Sequence, residues 1–382
     1  MRQSAERILT THAGSLARPD DLRELLAAKD ERRPFDAAAL AARARSAVAE
    51  VVRRQAAVGL DVINDGEQSK RNFTTYVRER LGGIDERSLK PGERPLAMIY
   101  GRDAAEFPEY FAGRGNLAGR EAVCVGPLTY VGHEAVRADI ANFQAALTGV
   151  DVTETFLPAV APGTIEHWLR NEHYGSDEAY LGAIADAMKP EYDAIVGAGF
   201  LLQIDDPDLA DAWQIHPDLS VAEYRKFAAL RIEALNHALR DIAPERMRFH
   251  VCWGSYHGPH KHDLPLRDFV DLVLAVRAQG YSIEASNPRH EHEWQAWEDV
   301  TLPEDKILIP GVVGHASDFV EHPELVGQRL TRYARLVGRE RVIAGTDCGL
   351  GPRVGHPKIA WAKFEALVEG ARLATRSLWG RA

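Results

Sequence analysis

Residues 306–348, KILIPGVVGHASDFVEHPELVGQRLTRYARLVGRERVIAGTDC, contain one complete β–α–β repeat and decide the fold. The runs KILIPGVVGH and RVIAGTDC are apolar and rich in β-branched residues, as buried strands are. Between them Pro323–Leu336 carries apolar residues at helical spacing, and Gly338 stands where that helix should end. Strands joined through a helix pair in parallel with a right-handed crossover. This stretch therefore predicts a parallel α/β sheet.

The same alternation repeats along the whole chain. Seven further apolar runs are predicted strands: ILTTHAGS, DVINDGE, EAVCVGPLTY, DVTETFLPAV, GFLLQIDDP, MRFHVCWG and YSIEASN. Further helices are predicted at Asp36–Val58, Asp177–Gly197, Val221–Ala243 and Leu266–Arg277. Nine strands over 382 residues favour a closed (β/α)8 TIM barrel plus one extra strand. A doubly wound open sheet is the alternative, but the chain lacks the Gly-rich phosphate fingerprint that would support it.

The length fits two ordinary domains or one large barrel with insertions, and the composition is that of a globular protein. We expect a single catalytic barrel over residues 1–382, with the polar segment 87–119 as a long insertion. The net charge of −10 and the lack of a basic stripe argue against nucleic acid as a partner. Because we find no long apolar run and no signal-peptide pattern, we expect a cytoplasmic protein that makes no membrane contact. Assembly into a homo-oligomer stays open.

Polar or ionisable residues end seven of the predicted strands. They are His12 and Ser15, Asp65 and Glu67, Asp205 and Asp206, His250 and Cys252, Glu284, His315, and Asp347 and Cys348. Parallel strands are buried on both faces and favour apolar residues, so a series of polar strand ends is unusual. Catalytic groups of such barrels lie at these ends. The pattern therefore predicts an active site at the carboxyl ends of the strands.

Four of these residues have metal-ligand chemistry. His250 and Cys252 are two apart on one predicted strand, so their side chains point to the same face. Glu284 ends the next strand and Cys348 ends a later one. One nitrogen, two sulfur atoms and a carboxylate oxygen suit tetrahedral Zn²⁺. The four predict a zinc site, although buried core cysteines and a hydrogen-bonded core histidine are the alternative.

Other candidate residues receive structural interpretations. Cys124 lies between two valines in mid-strand and is predicted to fill the core. The histidine-rich stretch HGPHKHD, residues 257–263, has no strand to fix it and is predicted to be a solvated loop. Lys70 and Arg71 are predicted to be surface helix charges, with binding of a sulfonate or carboxylate as the alternative.

The motifs together resemble a known family. Seven motifs resemble those of the C-terminal catalytic barrel of cobalamin-independent methionine synthase. In chain order they are HAGSL, DGEQSKRNF, QIDDP, HVCWG, IEASNPRHEHEW, PGVVGH and GTDCGLG. They are more similar still to its single-barrel relatives, which include epoxyalkane:coenzyme M transferases. The resemblance implies a (β/α)8 barrel whose zinc ligands match His250, Cys252, Glu284 and Cys348. In that family zinc binds and ionises the acceptor thiol, which then attacks an alkyl carbon.

The resemblance also implies roles for four further residues. Ser15 matches the serine that holds the homocysteine carboxylate, and Glu67 and Asp205 match the carboxylates that hold its amino group. His315 matches the proton donor to the leaving group. The implied reaction is homocysteine methylation in methionine biosynthesis, with methyl-folate or another alkyl donor. Two departures leave the donor open, because Asp206 stands where the family has Glu and this chain has only one barrel.

Other functions also stay open from the sequence. One is epoxide opening by coenzyme M, whose sulfonate lacks the ammonium that Glu67 and Asp205 would bind, although Lys70 and Arg71 would suit it. A second is a non-catalytic zinc or corrinoid-partner protein that accepts an alkyl group from another subunit. A third is a porphyrinogen decarboxylase-like barrel, which would leave the histidine and cysteines of the zinc set unexplained.

Overall fold

A computed structural model of the protein describes residues 1–73, 75–93, 96, 101–112, 120–351 and 353–380. The strands are β1 Leu9–Thr10, β2 Val62–Ile63, β3 Leu81–Ser88, β4 Arg120–Tyr130, β5 Glu154–Val160, β6 Arg170–Asn171, β7 Leu201–Asp205, β8 Met247–Val251, β9 Gly280–Glu284, β10 Ile307–Val313 and β11 Ile343–Thr346. The helices are α1 Asp20–Asp30, α2 Ala37–Val58, α3 Gly101–Glu106, α4 Pro108–Phe111, α5 His133–Ala146, α6 Pro162–Trp168, α7 Asp177–Gly197, α8 Asp208–Ile215, α9 Val221–Ala238, α10 Val270–Leu274, α11 Ala296–Asp299, α12 Pro323–Val337 and α13 Pro357–Trp379. None of these helices is long and apolar enough to cross a membrane.

Eight parallel strands form a nearly closed barrel in the order β1–β11–β10–β9–β8–β7–β5–β2. The two end strands meet through backbone and side-chain hydrogen bonds. The N–H of Asp61 donates to the carbonyl of Thr10 at 3.1 Å. The hydroxyl of Thr11 donates to the carbonyl of Val62 at 2.9 Å. The predicted (β/α)8 fold is confirmed.

The ninth predicted strand lies outside the barrel. EAVCVGPLTY forms nearly all of β4, which pairs antiparallel with β3 and parallel with β6 in a separate three-stranded sheet. Cys124 is fully buried there, as expected of a core residue. The predicted insertion 87–119 overlaps the end of β3 and helices α3 and α4, and it falls partly outside the described residues.

Two predicted helices prove too long. Helix α7 matches its prediction residue for residue, but α9 ends at Ala238 instead of Ala243. Leu239 is the C-cap of α9, with φ −90° and ψ 5°, and Pro244 disfavours the helical conformation only at Ala243. The predicted helix 266–277 is a short 3₁₀ turn followed by α10. Phe269 separates the two with a φ of −148°, which interrupts the helical hydrogen bonding.

The barrel interior changes from apolar to polar toward the carboxyl ends of its strands. Two small clusters of barrel-strand side chains are apolar: Leu9, Ile307, Ile309 and Ile343, and Val62, Phe156 and Leu201. Next comes Arg248, fully buried, which donates to the Thr11 hydroxyl at 2.8 Å and to the His12 carbonyl at 2.9 Å. Side chains alternate along a strand, so His250 shares the inward face with Arg248 one step nearer the carboxyl end.

Candidate active site

The ligand atoms of His250, Cys252 and Cys348 lie within 4.8 Å of one another. The two sulfur atoms are 3.8 Å apart. Two sulfur ligands at ~2.3 Å from a tetrahedral ion are separated by about 3.8 Å, whereas a disulfide needs ~2.05 Å. Nδ1 of His250 contacts the Ser282 hydroxyl at 3.2 Å, while its buried Nε2 has no partner among the described residues. This donor set fits a metal ion.

The two thiols differ in acidity. The hydrogen bond to Cys348, together with burial, raises the pKa of Cys252 well above its usual value. The hydrogen bond from Cys252, aided by His250, outweighs burial and lowers the pKa of Cys348 well below its usual value. Cys348 is therefore the group that ionises first, and the thiolate is the form in which cysteine binds metals.

Glu284 belongs to a second cluster, together with His315 and Asp347. Their ligand atoms lie within 4.8 Å of one another. One carboxylate oxygen of Glu284 accepts from the Trp253 N–H at 3.0 Å, and the other accepts from the Asn287 amide at 3.0 Å. Of the four predicted zinc ligands, the structure therefore brings three together and leaves Glu284 on the neighbouring strand β9, turned toward other partners.

His315 is buried, and neither of its ring nitrogens has a hydrogen-bond partner among the described residues. Its neighbour Asp347 accepts from the N–H groups of Ala285 and Ser286 at 2.8 and 2.9 Å. Burial raises the pKa of Asp347 to about 7. Asp347 had no predicted role, although its place at a strand end, directly before Cys348, was the available signal.

A cavity of about 310 Å³ opens at the carboxyl ends of the barrel strands. Six of the eight predicted site residues line it: Ser15, Glu67, Asp205, His250, Cys252 and Cys348. Glu284 and His315 are not among its lining residues. The predicted substrate contacts and the sulfur–nitrogen cluster therefore face one common space.

Two buried carboxylates give this cavity an anionic wall. Burial raises the pKa of Glu67, and burial raises that of Asp205 to about 7. The Gln203 amide donates to Asp205 at 2.7 Å. Gly14 is required here, because a Cβ would stand 2.8 Å from a carboxylate oxygen of Glu67. Both carboxylates become ionised more readily when a cation lies between them.

Arg18 is a site residue that was not predicted from the sequence. Its guanidinium donates to the carbonyl of Glu67 at 2.7 Å and to the hydroxyl of Ser15 at 3.5 Å. Its Nε is buried and has no partner among the described residues. Only the HAGSL motif, three residues earlier, pointed toward this position.

Two sequence interpretations are corrected by burial. Lys70 is only 7% exposed and donates to the Pro158 carbonyl at 3.0 Å, so it is not a surface charge. His260, in the stretch predicted to be solvated, is 4% exposed and contacts Asp263 at 2.7 Å. His290 contacts the same carboxylate oxygen at 2.9 Å. Lys70 and Asp263 both have partners distant in sequence, Pro158 and His290, and such contacts cannot be predicted from a local stretch.

Asp206 allows a prediction about pH and stability. Its buried carboxylate accepts from the Thr164 hydroxyl at 2.9 Å, and burial raises its pKa to about 7 from 3.8. A carboxylate whose folded-state pKa lies above its unfolded value lowers the free energy of unfolding as pH rises between the two values. For Asp206 the loss is about 4 kcal/mol in total. Asp206→Asn removes the charge but leaves a buried amide to satisfy, so we expect a net gain of about 2 kcal/mol at pH 8.

The measurement is urea unfolding of both proteins at pH 5 and pH 8. The difference in the free energy of unfolding between the variant and wild type should be more favourable to the variant at pH 8 than at pH 5. The exposed Asp305→Asn substitution is the matched control and should change neither value. A difference between Asp206→Asn and wild type that is the same at both pH values would contradict the prediction.

Fold and site together define a class: a (β/α)8 barrel with a histidine–cysteine cluster facing a cavity at the carboxyl ends of its strands. No model of a known protein family matches the chain. The methionine synthase of Thermococcus kodakarensis is 26% identical over 337 residues, which cover 87% of this chain and 84% of that protein. The methionine synthase of Saccharolobus solfataricus is 23% identical over 376 residues, covering 97% and 95%.

A solved structure is similar to this chain in fold. The B12-independent methionine synthase from Shewanella sp. W3-18-1, in complex with selenomethionine, has a TM-score of 0.72 at 20% identity, covering 98% of this chain and all of that one. These findings confirm the resemblance to cobalamin-independent methionine synthases of the single-barrel type. Similarity to epoxyalkane:coenzyme M transferases stays a prediction.

Proposed function

We propose that this chain is a homocysteine S-methyltransferase that depends on a bound zinc ion. The observation that carries the proposal is the meeting of two kinds of group in one cavity: the cluster of His250, Cys252 and Cys348, and the carboxylate pair of Glu67 and Asp205. The first suits a thiol-binding metal and the second suits an amino group. The names of the sequence relatives support the same activity. In this proposal residues 1–382 act as one catalytic domain.

The residues present fit zinc as the metal. His250, Cys252 and Cys348 would hold it, and Glu284 would complete the set from strand β9 by leaving Asn287. When bound, zinc supplies the positive charge that favours the ionised form of an acceptor thiol. Sulfur and nitrogen donors favour zinc over magnesium or calcium, which take oxygen ligands.

The chain's own residues would orient homocysteine. Glu67 and Asp205 would bind its α-ammonium between them, and this cation would favour the ionised form of both carboxylates. Ser15 and Arg18 would hold the α-carboxylate, because Arg18 already contacts the Ser15 hydroxyl and has a free buried Nε among the described residues. The thiol would then point toward the cysteines.

His315 is the proposed proton donor to a leaving group that needs one. An imidazole with free ring nitrogens is suited to this work. It lies next to Glu284 and Asp347, outside the lining of the cavity. Proton delivery to a donor in the cavity therefore requires His315 or Glu284 to move.

A side-by-side assay of two thiols tests the proposal. The zinc-loaded protein is given homocysteine or coenzyme M, each with methyl donors and with an epoxide. We expect a methylated product from homocysteine only, because Glu67 and Asp205 attract an ammonium and repel a sulfonate. The Glu67→Gln variant should lose part of the preference. An epoxide product with coenzyme M, and none with homocysteine, would contradict the proposal and favour the coenzyme M reaction.

A further inference from the structure

We propose that His290 is a positioning residue that favours the present position of Glu284, turned away from the cysteine cluster, over a position on the bound zinc. Glu284 in its present position leaves a place on the metal for the acceptor thiol. The inference rests on the proposed function and deepens it, because it gives a role to a residue outside the cavity lining. His290 acts through Trp253 and Asn287, the two residues that hold Glu284.

Two hydrogen bonds hold the buried carboxylate of Glu284. One oxygen accepts from the N–H of Trp253 at 3.0 Å, and the other accepts from the side-chain amide of Asn287 at 3.0 Å. Trp253 follows strand β8 and Asn287 follows strand β9. Hydrogen bonds to an ionised carboxylate are strong, and Glu284 gives up the bond to Asn287 when it moves to the metal. The placement of these two donors therefore decides how readily Glu284 competes with a thiol.

His290 is linked to both donors. Its ring stacks on the indole of Trp253, with centroids 3.9 Å apart and an angle of 17° between the planes. Its backbone N–H donates to the carbonyl of Asn287 at 2.8 Å. His290 is 2% exposed, and in a closely packed interior its ring cannot turn without displacing these neighbours. One buried residue thus packs against the first donor and closes the turn that presents the second.

The ring of His290 carries a positive charge. Its Nε2 contacts Asp263 at 2.9 Å and its Nδ1 contacts Glu293 at 3.1 Å. Carboxylates accept hydrogen bonds, so both ring nitrogens donate. Burial opposes the charge, but the hydrogen bonds to Asp263 and Glu293, and then the charge of Glu284, raise the pKa of His290 to about 10. The imidazolium therefore also stabilises the carboxylate of Glu284 where it lies.

The two partners of this ring are themselves fixed. Asp263 accepts from the amide of Gln214 at 2.7 Å and contacts His260 at 2.7 Å. Glu293 accepts from the N–H of Leu266 at 2.9 Å. The network ties the histidine-rich stretch 257–263 to the segment that follows strand β9. It therefore holds the ring in one place, as a positioning role requires.

Loss of the ring has consequences that distinguish positioning from general support. Without it, Asn287 and the positive charge hold Glu284 less firmly, and the carboxylate, which is a zinc ligand, stays on the metal. An added protein ligand slows the loss of zinc and competes with the thiol. Zinc should therefore leave more slowly while homocysteine binds more weakly. A site that was merely loosened would release zinc faster.

Transfer of zinc to the chelator EDTA measures the first effect without turnover. His290→Gln should lose zinc about 10-fold more slowly than wild type, and Glu284→Gln in the same chain should abolish the difference. Asn287→Ala removes one donor directly and should also slow the loss, which decides the question if His290→Gln does not fold. The exposed His292→Gln is the matched control and should behave as wild type. Unchanged or faster loss, or slower loss that persists without Glu284, would overturn the proposal.

Calorimetric titration of the same zinc-loaded proteins with homocysteine measures the second effect. His290→Gln should bind homocysteine about 10-fold more weakly, and the double variant with Glu284→Gln should bind as Glu284→Gln alone does. Equal affinity of His290→Gln and wild type, or a defect that remains in the double variant, would overturn the proposal. Failure of homocysteine to bind the zinc-loaded wild type would count against the proposed function, while the chelator measurement still decides the role of His290.

Discussion

The Cys348→Ser protein is expected to lose its metal and its homocysteine methylation together. Cys348 is the more acidic of two thiols whose sulfur atoms are 3.8 Å apart, and a serine hydroxyl stays protonated at neutral pH. Loss of a residue that only orients a ligand costs about 10–100-fold in metal affinity or activity. Loss of a thiolate ligand itself should cost more than about 100-fold. Zinc content and methionine formation measure the two effects.

Cys124→Ser is the matched control for this substitution. Cys124 lies in β4, outside the barrel, and has no role in the cavity. The control should retain zinc and activity, apart from some loss of stability from a buried hydroxyl. A Cys348→Ser protein with full zinc content and wild-type turnover would show that the cysteine cluster is not the metal site.

Asp205→Asn is expected to raise the KM for homocysteine by about 10–150-fold with a smaller change in kcat, because hydrogen bonds to charged groups contribute about 1.5–3 kcal/mol. The charged carboxylate binds the ammonium. Since burial raises the pKa of Asp205 to about 7, wild-type affinity should fall as pH decreases through 7. The variant should lose that part of the pH dependence. Steady-state kinetics between pH 6 and pH 8 measure both effects.

Asp305→Asn again provides an exposed control, and it should keep the wild-type KM and pH profile. An Asp205→Asn protein whose KM rises equally for homocysteine and for a thiol without an amino group would place the effect outside ammonium binding. In that case Asp205 would shape the cavity rather than bind the substrate.

The barrel could be predicted because its signal is local. Each buried parallel strand is a short apolar run, and each run ends at the same edge of the barrel, so KILIPGVVGH and its counterparts suffice for the fold. The same pattern cannot say which run lies outside. EAVCVGPLTY is as apolar as the barrel strands, and only its pairing with β3 and β6 places it in a separate sheet.

The site was predicted in part, for a related reason. His250, Cys252 and Cys348 have rare chemistry at strand ends and were found, whereas the direction of Glu284 depends on the Trp253 N–H and the Asn287 amide. Arg18 was not predicted. Its role follows from the contact with Glu67 and from a buried Nε without a partner among the described residues, and these properties exist only in the folded chain.

The most direct measurement is the zinc X-ray absorption spectrum of the loaded protein, alone and with homocysteine or coenzyme M. Two sulfur ligands at ~2.3 Å are expected at rest, from Cys252 and Cys348. Homocysteine should add a third sulfur and coenzyme M should not. A protein that binds no zinc, or a sulfur count that homocysteine leaves unchanged, would contradict the assignment of this cavity to thiol methylation.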